Sequence, residues 1–481
     1  MNATLIIAWL LPLAAAAAAW MVLDPQRRPG WIASAFGHGL VFGMLLAGGA
    51  TALLARSDTT HALAHAAPWL AVFAAICGVI AWRRIRAHAR LPAIAVKVNK
   101  WTIVLSGLAL VSLVWRGWIA LREIVLRPTF PWDAWDAWAV KSKSWFLLGR
   151  YVPFVSLQDW LRNTGADVHT GIAWGYPTAL AWLQVWFASA AGGWIEPMVN
   201  LPWLALWLGL LFGHYGQWRA LGLNRTRALI GVYVLGSLPL LDVHVALAGY
   251  ADLWIACVLG FGVLAWVRWI EQRDRAQLAI AAICALLLPA LKLEGGVWLL
   301  LLAGVAAFGA LPRRWRWYVV GVGACVMVLA IAFGNLVVPL VALGWTHVDA
   351  QALEVPVIGR LALGWHPAAF EGVVKALFAQ RNWNLLWWLA PLIALWRWRE
   401  LRAHESLRVL GIFLIAGFAF LLFLFLFTDA ARWAESYTAI NRLIMHLVPA
   451  TVTFLALLCR GELFAEFPRT RPEPVALPDP Q

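Results

Sequence analysis

Residues 252–270 read Asp252-Leu-Trp-Ile-Ala-Cys-Val-Leu-Gly-Phe-Gly-Val-Leu-Ala-Trp-Val-Arg-Trp-Ile270. The stretch begins with an acid, and its only basic residue, Arg268, stands near its end. About 20 apolar residues in a helix span the ~30 Å hydrocarbon core of a bilayer. This stretch therefore predicts a transmembrane helix with a carboxylate at one mouth.

Apolar runs of the same kind extend along the chain on both sides of this one. The others lie at 3–23, 31–55, 61–82, 101–121, 197–217, 228–246, 277–291, 295–311, 318–343, 383–398, 408–428 and 442–459. Hydrophobic residues make up 63% of the 481 residues and charged residues 13%, whereas soluble domains are near half apolar and a quarter charged. The composition excludes a soluble protein and predicts an all-α polytopic membrane protein with about 13 transmembrane helices.

The net charge of +14 follows the membrane topology. Most Lys and Arg fall in alternate connections, as the positive-inside rule requires of cytoplasmic loops. This places the N-terminus outside and the C-terminus inside, and it removes the need for a nucleic-acid partner. The five cysteines form no CxxC pair, so neither a disulfide nor a metal site is indicated.

The positive-inside rule also assigns an apolar helix that does not cross. If Tyr176–Gly192 crossed the membrane, the basic loops after it would lie on the external side, against the positive-inside rule. We therefore place this helix in or near the outer interface. Long external segments then fall at 122–175 and 344–382. The chain divides into an N-terminal three-helix segment (1–100), a membrane domain (101–460) and a Pro-rich cytoplasmic tail (461–481) that reads as disordered.

The first external segment contains Phe130-Pro-Trp-Asp-Ala-Trp-Asp-Ala-Trp-Ala-Val-Lys-Ser-Lys-Ser-Trp145. At helical spacing, Asp133 and Asp136 share one face and Lys143 lies beside Asp136. Four indoles would hold the segment at the headgroup layer, at positions 132, 135, 138 and 145. The pattern fits either carboxylates presented for chemistry or a plain interfacial helix with a solvated charged edge.

Further polar residues fall at the same outer ends of the predicted helices. They are His244, Tyr250 and Asp252, Lys292 and Glu294, and Arg442 with His446 one turn further along. Each has a structural alternative: a cap of its helix for Asp252, a hydrated turn for Lys292 and Glu294, and snorkelling to the interface for Arg442. Acids and cations gathered at one mouth of a bundle point together to function.

Such an array suits transfer of a sugar from a lipid phosphate. The departing phosphate is already anionic and needs cations rather than an acid, which Lys292 and Arg442 would supply without a metal. The attacking hydroxyl needs one general base, for which a carboxylate at headgroup level is suited. These requirements predict a single inverting displacement.

The motifs resemble those of the GT-C superfamily, integral-membrane glycosyltransferases that use polyprenyl-phosphate sugars and include the protein O-mannosyltransferases. Pro131-Trp-Asp-Ala-Trp with Lys141-Ser-Lys143 is similar to the bacterial first-loop motif, whose essential Asp matches Asp133. Gly175-Tyr-Pro177 resembles the start of the family's juxtamembrane helix. The later external motifs are matched by Gly249-Tyr-Ala-Asp252, Lys292-Leu-Glu-Gly295 and Asn441-Arg442.

The resemblance implies a bacterial inner-membrane enzyme with its active site on the periplasmic face. Asp133 or Asp136 would be the base, and Lys292 and Arg442 would bind the donor phosphate. The remaining candidates would line the substrate site, namely Asp252, Glu294, Tyr250, His244, Tyr176, Lys143 and His446. The acceptor would be a glycan, lipid or protein, and no cofactor or metal is indicated.

Two alternatives stay open on the sequence. A transporter or flippase of a lipid-linked or anionic solute would have many spans and a few intramembrane charges, and it would carry ionisable groups near the midplane. An O-antigen ligase or polymerase would share the sidedness but would use a diphosphate-linked oligosaccharide.

Overall fold

The computed structural model describes residues 3–88, 100–163, 167–312, 314–316, 318, 321–322, 325, 336–340, 344–348, 351–355 and 359–460. The predicted tail at 461–481 lies outside the described residues. In chain order the labelled helices are α1 (Ala3–Leu23), α2 (Trp31–Leu54), α3 (Ala62–Ala87), α4 (Lys100–Leu126), α5 (Val140–Leu148), α6 (Leu157–Arg162), α7 (Ala179–Ala191), α8 (Glu196–Ala220), α9 (Arg225–Gly236), α10 (Pro239–Ala246), α11 (Asp252–Gln272), α12 (Arg275–Leu291), α13 (Gly295–Ala310), α14 (Pro367–Val374), α15 (Leu386–Trp396), α16 (Trp398–Ala403), α17 (Glu405–Phe427), α18 (Ala431–Glu435) and α19 (Ile440–Leu458). Two π-helical segments lie at Ala134–Ala139 and Lys375–Ala379.

The helices confirm the coarse prediction of a helical, multi-pass membrane protein with the bilayer as its partner. Among the described residues, seven helices are long and apolar enough to cross a membrane: α1, α2, α3, α4, α11, α17 and α19. An eighth span is reached if α9 and α10, bent by 63°, are counted together. Thirteen crossings remain a prediction. α7, with 13 residues, extends only about 20 Å at 1.5 Å per residue, which suits the predicted non-crossing helix.

Burial places α11 and α19 at the centre of the bundle. Their most apolar stretches are 94% and 83% buried, whereas those of α3 and α4 are only 17% buried. Exposed apolar side chains on an outer helix face lipid tails rather than water. Asp252 and Arg442 stand in the first turns of these two helices. Both side chains are therefore positioned by the central part of the bundle.

The N-terminal segment joins the bundle through a close helix pair, α2 on α8. A Cβ on Gly37 would lie 2.2 Å from the backbone nitrogen of Gly213, and a Cβ on Gly216 would lie 2.3 Å from the hydroxyl of Ser34. Small residues at such positions allow helix backbones to approach closely in membranes. α2 is thus packed directly on the membrane domain.

A small antiparallel sheet corrects one predicted helix. The strands are β3 (Leu336–Leu340), β4 (Gly344–Val348), β5 (Ala352–Val355) and β6 (Gly359–Ala362), in the order β3-β4-β5-β6. The predicted span 318–343 is wrong at its end, because 336–340 is the edge strand of this sheet. A short apolar run rich in Val cannot be assigned by hydrophobicity alone, and Pro339 is tolerated on an edge strand. A separate parallel pair joins β1 (Phe154–Val155) to β2 (His169–Thr170).

The sheet lies over the end of the bundle at which α12 meets α13. Val355 of β5 packs on Leu293, and Tyr176 and Leu353 pack against the same small apolar cluster. Leu293 stands between Lys292 and Glu294 in the turn from α12 to α13. The sheet therefore covers the turn that carries two of the candidate site residues.

Candidate active site

Asp252 is the centre of a buried ionic cluster. It opens α11, where the helix dipole favours a carboxylate, and its side chain is 1% exposed. Lys292 Nζ lies 2.8 Å and His446 Nε2 lies 3.1 Å from its Oδ1. Arg442 Nη1 is 3.8 Å from its Oδ2. The burial of a carboxylate without cations would be costly. Because Lys292 and Arg442 compensate its charge, the Asp252 carboxylate stays ionised.

Lys292 links two carboxylates across the turn between α12 and α13. Its ammonium also lies 3.0 Å from Glu294 Oε1. The turn is tight because Gly295 follows, where a Cβ would lie 2.0 Å from the carbonyl oxygen of Leu288. Burial alone would lower the pKa of the Lys292 ammonium, but the charges of Asp252 and Glu294 outweigh burial and raise that pKa. Lys292 is therefore a fixed cation.

Arg442 joins α19 to the segment 122–175, which is the predicted first external segment. Its Nη1 bonds to Asp133 Oδ2, while its Nε donates to the carbonyl of Thr438 at 2.9 Å. The guanidinium lies over the ring of Tyr250, 5.3 Å from the centroid, a cation–π arrangement. These contacts bring together residues 309 positions apart in the chain.

A glycine allows the first external segment to reach the cluster. Gly249 has φ +119°, and a Cβ there would lie 2.5 Å from Cβ of Ala134. Only glycine fits both the backbone conformation and the contact. The Gly249-Tyr-Ala-Asp252 motif thus positions Asp133 through its neighbour Ala134.

A hydrogen-bond chain fixes the tautomer of His446. Trp298 Nε1 donates to His446 Nδ1 at 2.8 Å, and an indole N–H can only donate. Nδ1 must therefore be unprotonated, so Nε2 carries the proton and donates to Asp252. His446 is a neutral donor that orients the buried carboxylate.

Two phenols and a second histidine line the cluster. The pKa of Tyr176 is raised mainly by the negative charge of Glu294 and also by burial. The pKa of Tyr250 is raised mainly by burial and also by the negative charge of Asp133. Both hydroxyls remain protonated and can donate to a ligand. His244 is buried with its ring 5.1 Å from that of Tyr250.

Two predicted members lie outside the cluster. Lys143 is 3.9 Å from Glu196 rather than beside Asp136. Among the described residues, no cation lies within 4.0 Å of Asp136. The cause is local: residues 134–139 form a π-helix, so the 100° spacing of an α-helix does not apply across the aspartates. The predicted Asp136–Lys143 juxtaposition is wrong.

The four indoles of this segment also divide into two kinds. Trp132 and Trp135 are exposed, as a headgroup anchor requires, but Trp138 and Trp145 are buried. Trp145 stacks on Trp182 of α7 at 4.5 Å, and Trp138 packs edge-on against Tyr176. Half of the predicted anchors are instead protein core: Trp145 packs α5 on α7, and Trp138 packs the π-helical segment on Tyr176.

Sequence reasoning missed two side chains that support the site. Trp298 stands one helical turn after Glu294, a spacing that would have placed it on the same face. Lys141 is buried and donates to the carbonyls of Ala173, Trp174 and Tyr176; burial lowers its pKa to about 8. Nothing local in the sequence marks Lys141 as an anchor, because its partners lie some 30 residues away.

The cluster is suited to bind a polyhydroxylated anion. Lys292 and Arg442 supply cations, and Glu294 Oε2 is buried with no hydrogen-bond partner within the described residues, so it is free to accept from a hydroxyl. In the part of the chain that the structure describes, no group of three or more His, Cys, Asp or Glu is arranged to hold a metal ion. Comparison of the chain with protein-family models, curated proteins and solved structures found no match.

Proposed function

We propose that this protein is an inverting glycosyltransferase that takes a sugar from a polyprenyl-phosphate donor. The observation that carries the proposal is the grouping of Asp133, Lys292 and Glu294 around Asp252 and Arg442, which stand in the first turns of the central helices α11 and α19. One partly exposed carboxylate stands beside fixed cations, which is the set that this reaction requires. The setting is a bacterial inner membrane with the site on the periplasmic face.

The reaction is a single displacement at the anomeric carbon. The acceptor hydroxyl oxygen forms a bond to that carbon, and its proton passes to the Asp133 carboxylate. The bond from the anomeric carbon to the phosphate oxygen breaks, and the electron pair leaves with the polyprenyl phosphate. Arg442 and Lys292 stabilise the charge that gathers on the leaving phosphate, and configuration inverts.

The remaining residues orient rather than react. Asp252 holds Lys292 and Arg442 in place, and His446 holds Asp252. Glu294 Oε2 accepts from a sugar hydroxyl, and the Tyr176 and Tyr250 hydroxyls donate to the sugar or its phosphate. The acceptor is a glycan, lipid or protein on the same face.

The direct test is transfer from a radiolabelled polyprenyl-phosphate sugar by purified protein in proteoliposomes containing a bacterial envelope fraction. We expect Asp133→Asn to lower turnover by about 10²–10⁴-fold, the range of a general base. Asp167→Asn is a matched control, because Asp167 also forms an exposed ion pair with an arginine, Arg150, in the same segment. It should transfer normally.

Other results would change the assignment. Normal turnover in Asp133→Asn with none in Asp136→Asn would move the base to Asp136. Transfer only from a diphosphate-linked oligosaccharide would make the protein an O-antigen ligase or polymerase. The acceptor would be found by mass spectrometry of surface glycans in a deletion strain.

A second candidate, a transporter or flippase, is favoured by buried polar groups elsewhere in the bundle. Arg268 is fully buried against Asp24 at 2.7 Å, and His38 and His214 are buried within α2 and α8. The bent pair α9–α10 is also a broken helix. Counterflow of a lipid-linked sugar in proteoliposomes without any covalent product would favour this candidate over transfer.

A further inference from the structure

The ionic cluster carries more negative than positive charge. Three carboxylates (Asp133, Asp252 and Glu294) surround two cations, Lys292 and Arg442. Among the described residues, Lys292 forms ion pairs with Asp252 and Glu294, and Arg442 forms them with Asp133 and Asp252. A phosphate would enter a site whose cations are already neutralised. One carboxylate must therefore give up its cation before an anion can bind with full strength.

Asp133 is the carboxylate that can leave. Asp252 is 1% exposed and is held by Lys292, His446 and Arg442, so releasing it would bury an uncompensated charge. Glu294 pairs with Lys292 and not with Arg442. Asp133 is 38% exposed, and within the described residues its ion-pair partner is Arg442. Its departure costs little because water can replace the guanidinium.

We propose that Asp133 occupies on Arg442 the position that the donor phosphate takes, so that donor binding exchanges one anion for the other. The inference rests on the proposed function and adds an order of events to it. While the pair holds, Asp133 Oδ2 is engaged by the Arg442 guanidinium and is not free to accept a proton from the acceptor. Once the phosphate takes its place on Arg442, the carboxylate is released beside the sugar. Asp133 therefore becomes available to the acceptor hydroxyl only when the donor is present.

The exchange predicts that removing the charge of Asp133 strengthens phosphate binding while it lowers transfer. Binding of a polyprenyl monophosphate to the full chain in nanodiscs would be measured for the wild type, Asp133→Asn, Arg442→Gln and the double variant. We expect Asp133→Asn to bind about 5-fold more tightly or better, the scale of a coupling between competing ligands. Arg442→Gln should bind more weakly, and in the double variant the gain from Asp133→Asn should vanish. If the Asp133→Asn variant misfolds, Asp133→Ser, which also lacks the charge, repeats the test.

The outcomes separate this inference from the proposed function. Asp167→Asn, which removes the carboxylate of an Asp–Arg pair outside the site, should bind as the wild type does. Unchanged affinity in Asp133→Asn, or the same gain with and without Arg442, would overturn the exchange while leaving the glycosyltransferase proposal standing. Tighter binding in Asp133→Asn, together with no sugar transfer by the wild type, would support the exchange and sink the proposed reaction. No binding by any variant, including the wild type, would overturn both.

Discussion

At the scale of single residues, the stability of the ionic cluster depends on the position of Lys292 between two carboxylates. Its side chain is 9% exposed and lies between Asp252 and Glu294. The two carboxylates repel each other, and the ammonium that both contact compensates this repulsion. The arrangement makes Lys292 a structural residue whatever ligand the site binds.

We expect Lys292→Met to lower the free energy of unfolding by about 3–5 kcal/mol, because it strands buried carboxylates without a cation. SDS-induced unfolding in mixed micelles would measure the change. Lys375→Met removes the lysine of the exposed pair with Glu371 and should leave the transition where it is. Equal transitions for the two variants would mean that the cluster adds nothing to stability.

At the scale of elements, one turn sets the distance between the first external segment and the bundle. Gly249 touches Ala134, so the turn before α11 and the π-helical segment after Asp133 are positioned against each other. π-Helical turns often occur at functional sites. Here the π-helical turn begins directly after Asp133, which pairs with Arg442, and Asp136 lies within the turn.

We expect Gly249→Ala to displace the 130–139 segment and to lower transfer sharply, with a loss of roughly 1–3 kcal/mol for a side chain at positive φ. Turnover and unfolding of purified protein would both be measured. Gly193→Ala is the control, since a Cβ at Gly193 has no atom within 4 Å among the described residues. If Gly249→Ala transfers as well as Gly193→Ala does, the turn does not position the base.

At the scale of the whole molecule, the N-terminal helices are joined to the central bundle by backbone contact. Besides the α2–α8 glycines, a buried ionic contact crosses the same boundary: Arg268 of α11 donates to Asp24 and to Gln217 of α8, and Gln277 of α12 also donates to Asp24. Asp24 follows α1 directly, so the connection between α1 and α2 is tied to two helices of the membrane domain, α11 and α12.

We expect Gly37→Ala to lower the free energy of unfolding by about 1–3 kcal/mol, the usual cost of overpacking, because its Cβ would collide with α8. Gly49 lies in the same helix α2 with open space around it, so Gly49→Ala should be neutral or slightly stabilising. SDS unfolding of the two variants gives the comparison. Equal stability would show that α2 does not need this close approach.

The sidedness of the whole chain is open to a labelling experiment. In a background lacking the native cysteines, we expect Arg162→Cys to react with an impermeant maleimide in intact cells and Arg402→Cys to react only after permeabilisation. Both positions are exposed and lie at opposite faces under the positive-inside rule. The reverse pattern would place the ionic cluster on the cytoplasmic side and would end the proposal of a periplasmic reaction.

The sequence by itself determined the class of protein, because hydrophobic length and loop charge are local quantities that the bilayer reads directly. It also identified Asp252, Lys292, Glu294 and Arg442, since each stands at the end of an apolar run, His446 one turn beyond Arg442, and Asp133 from the aspartate and tryptophan pattern of the segment 122–175. Only the tertiary structure decided which carboxylate forms an ion pair with which cation. Asp133 pairs with Arg442 and Lys143 with Glu196, because long-range packing and a π-helical turn set those distances. The strand at 336–340 was likewise decided by its partners, since an apolar segment becomes a strand only when neighbouring strands satisfy its backbone.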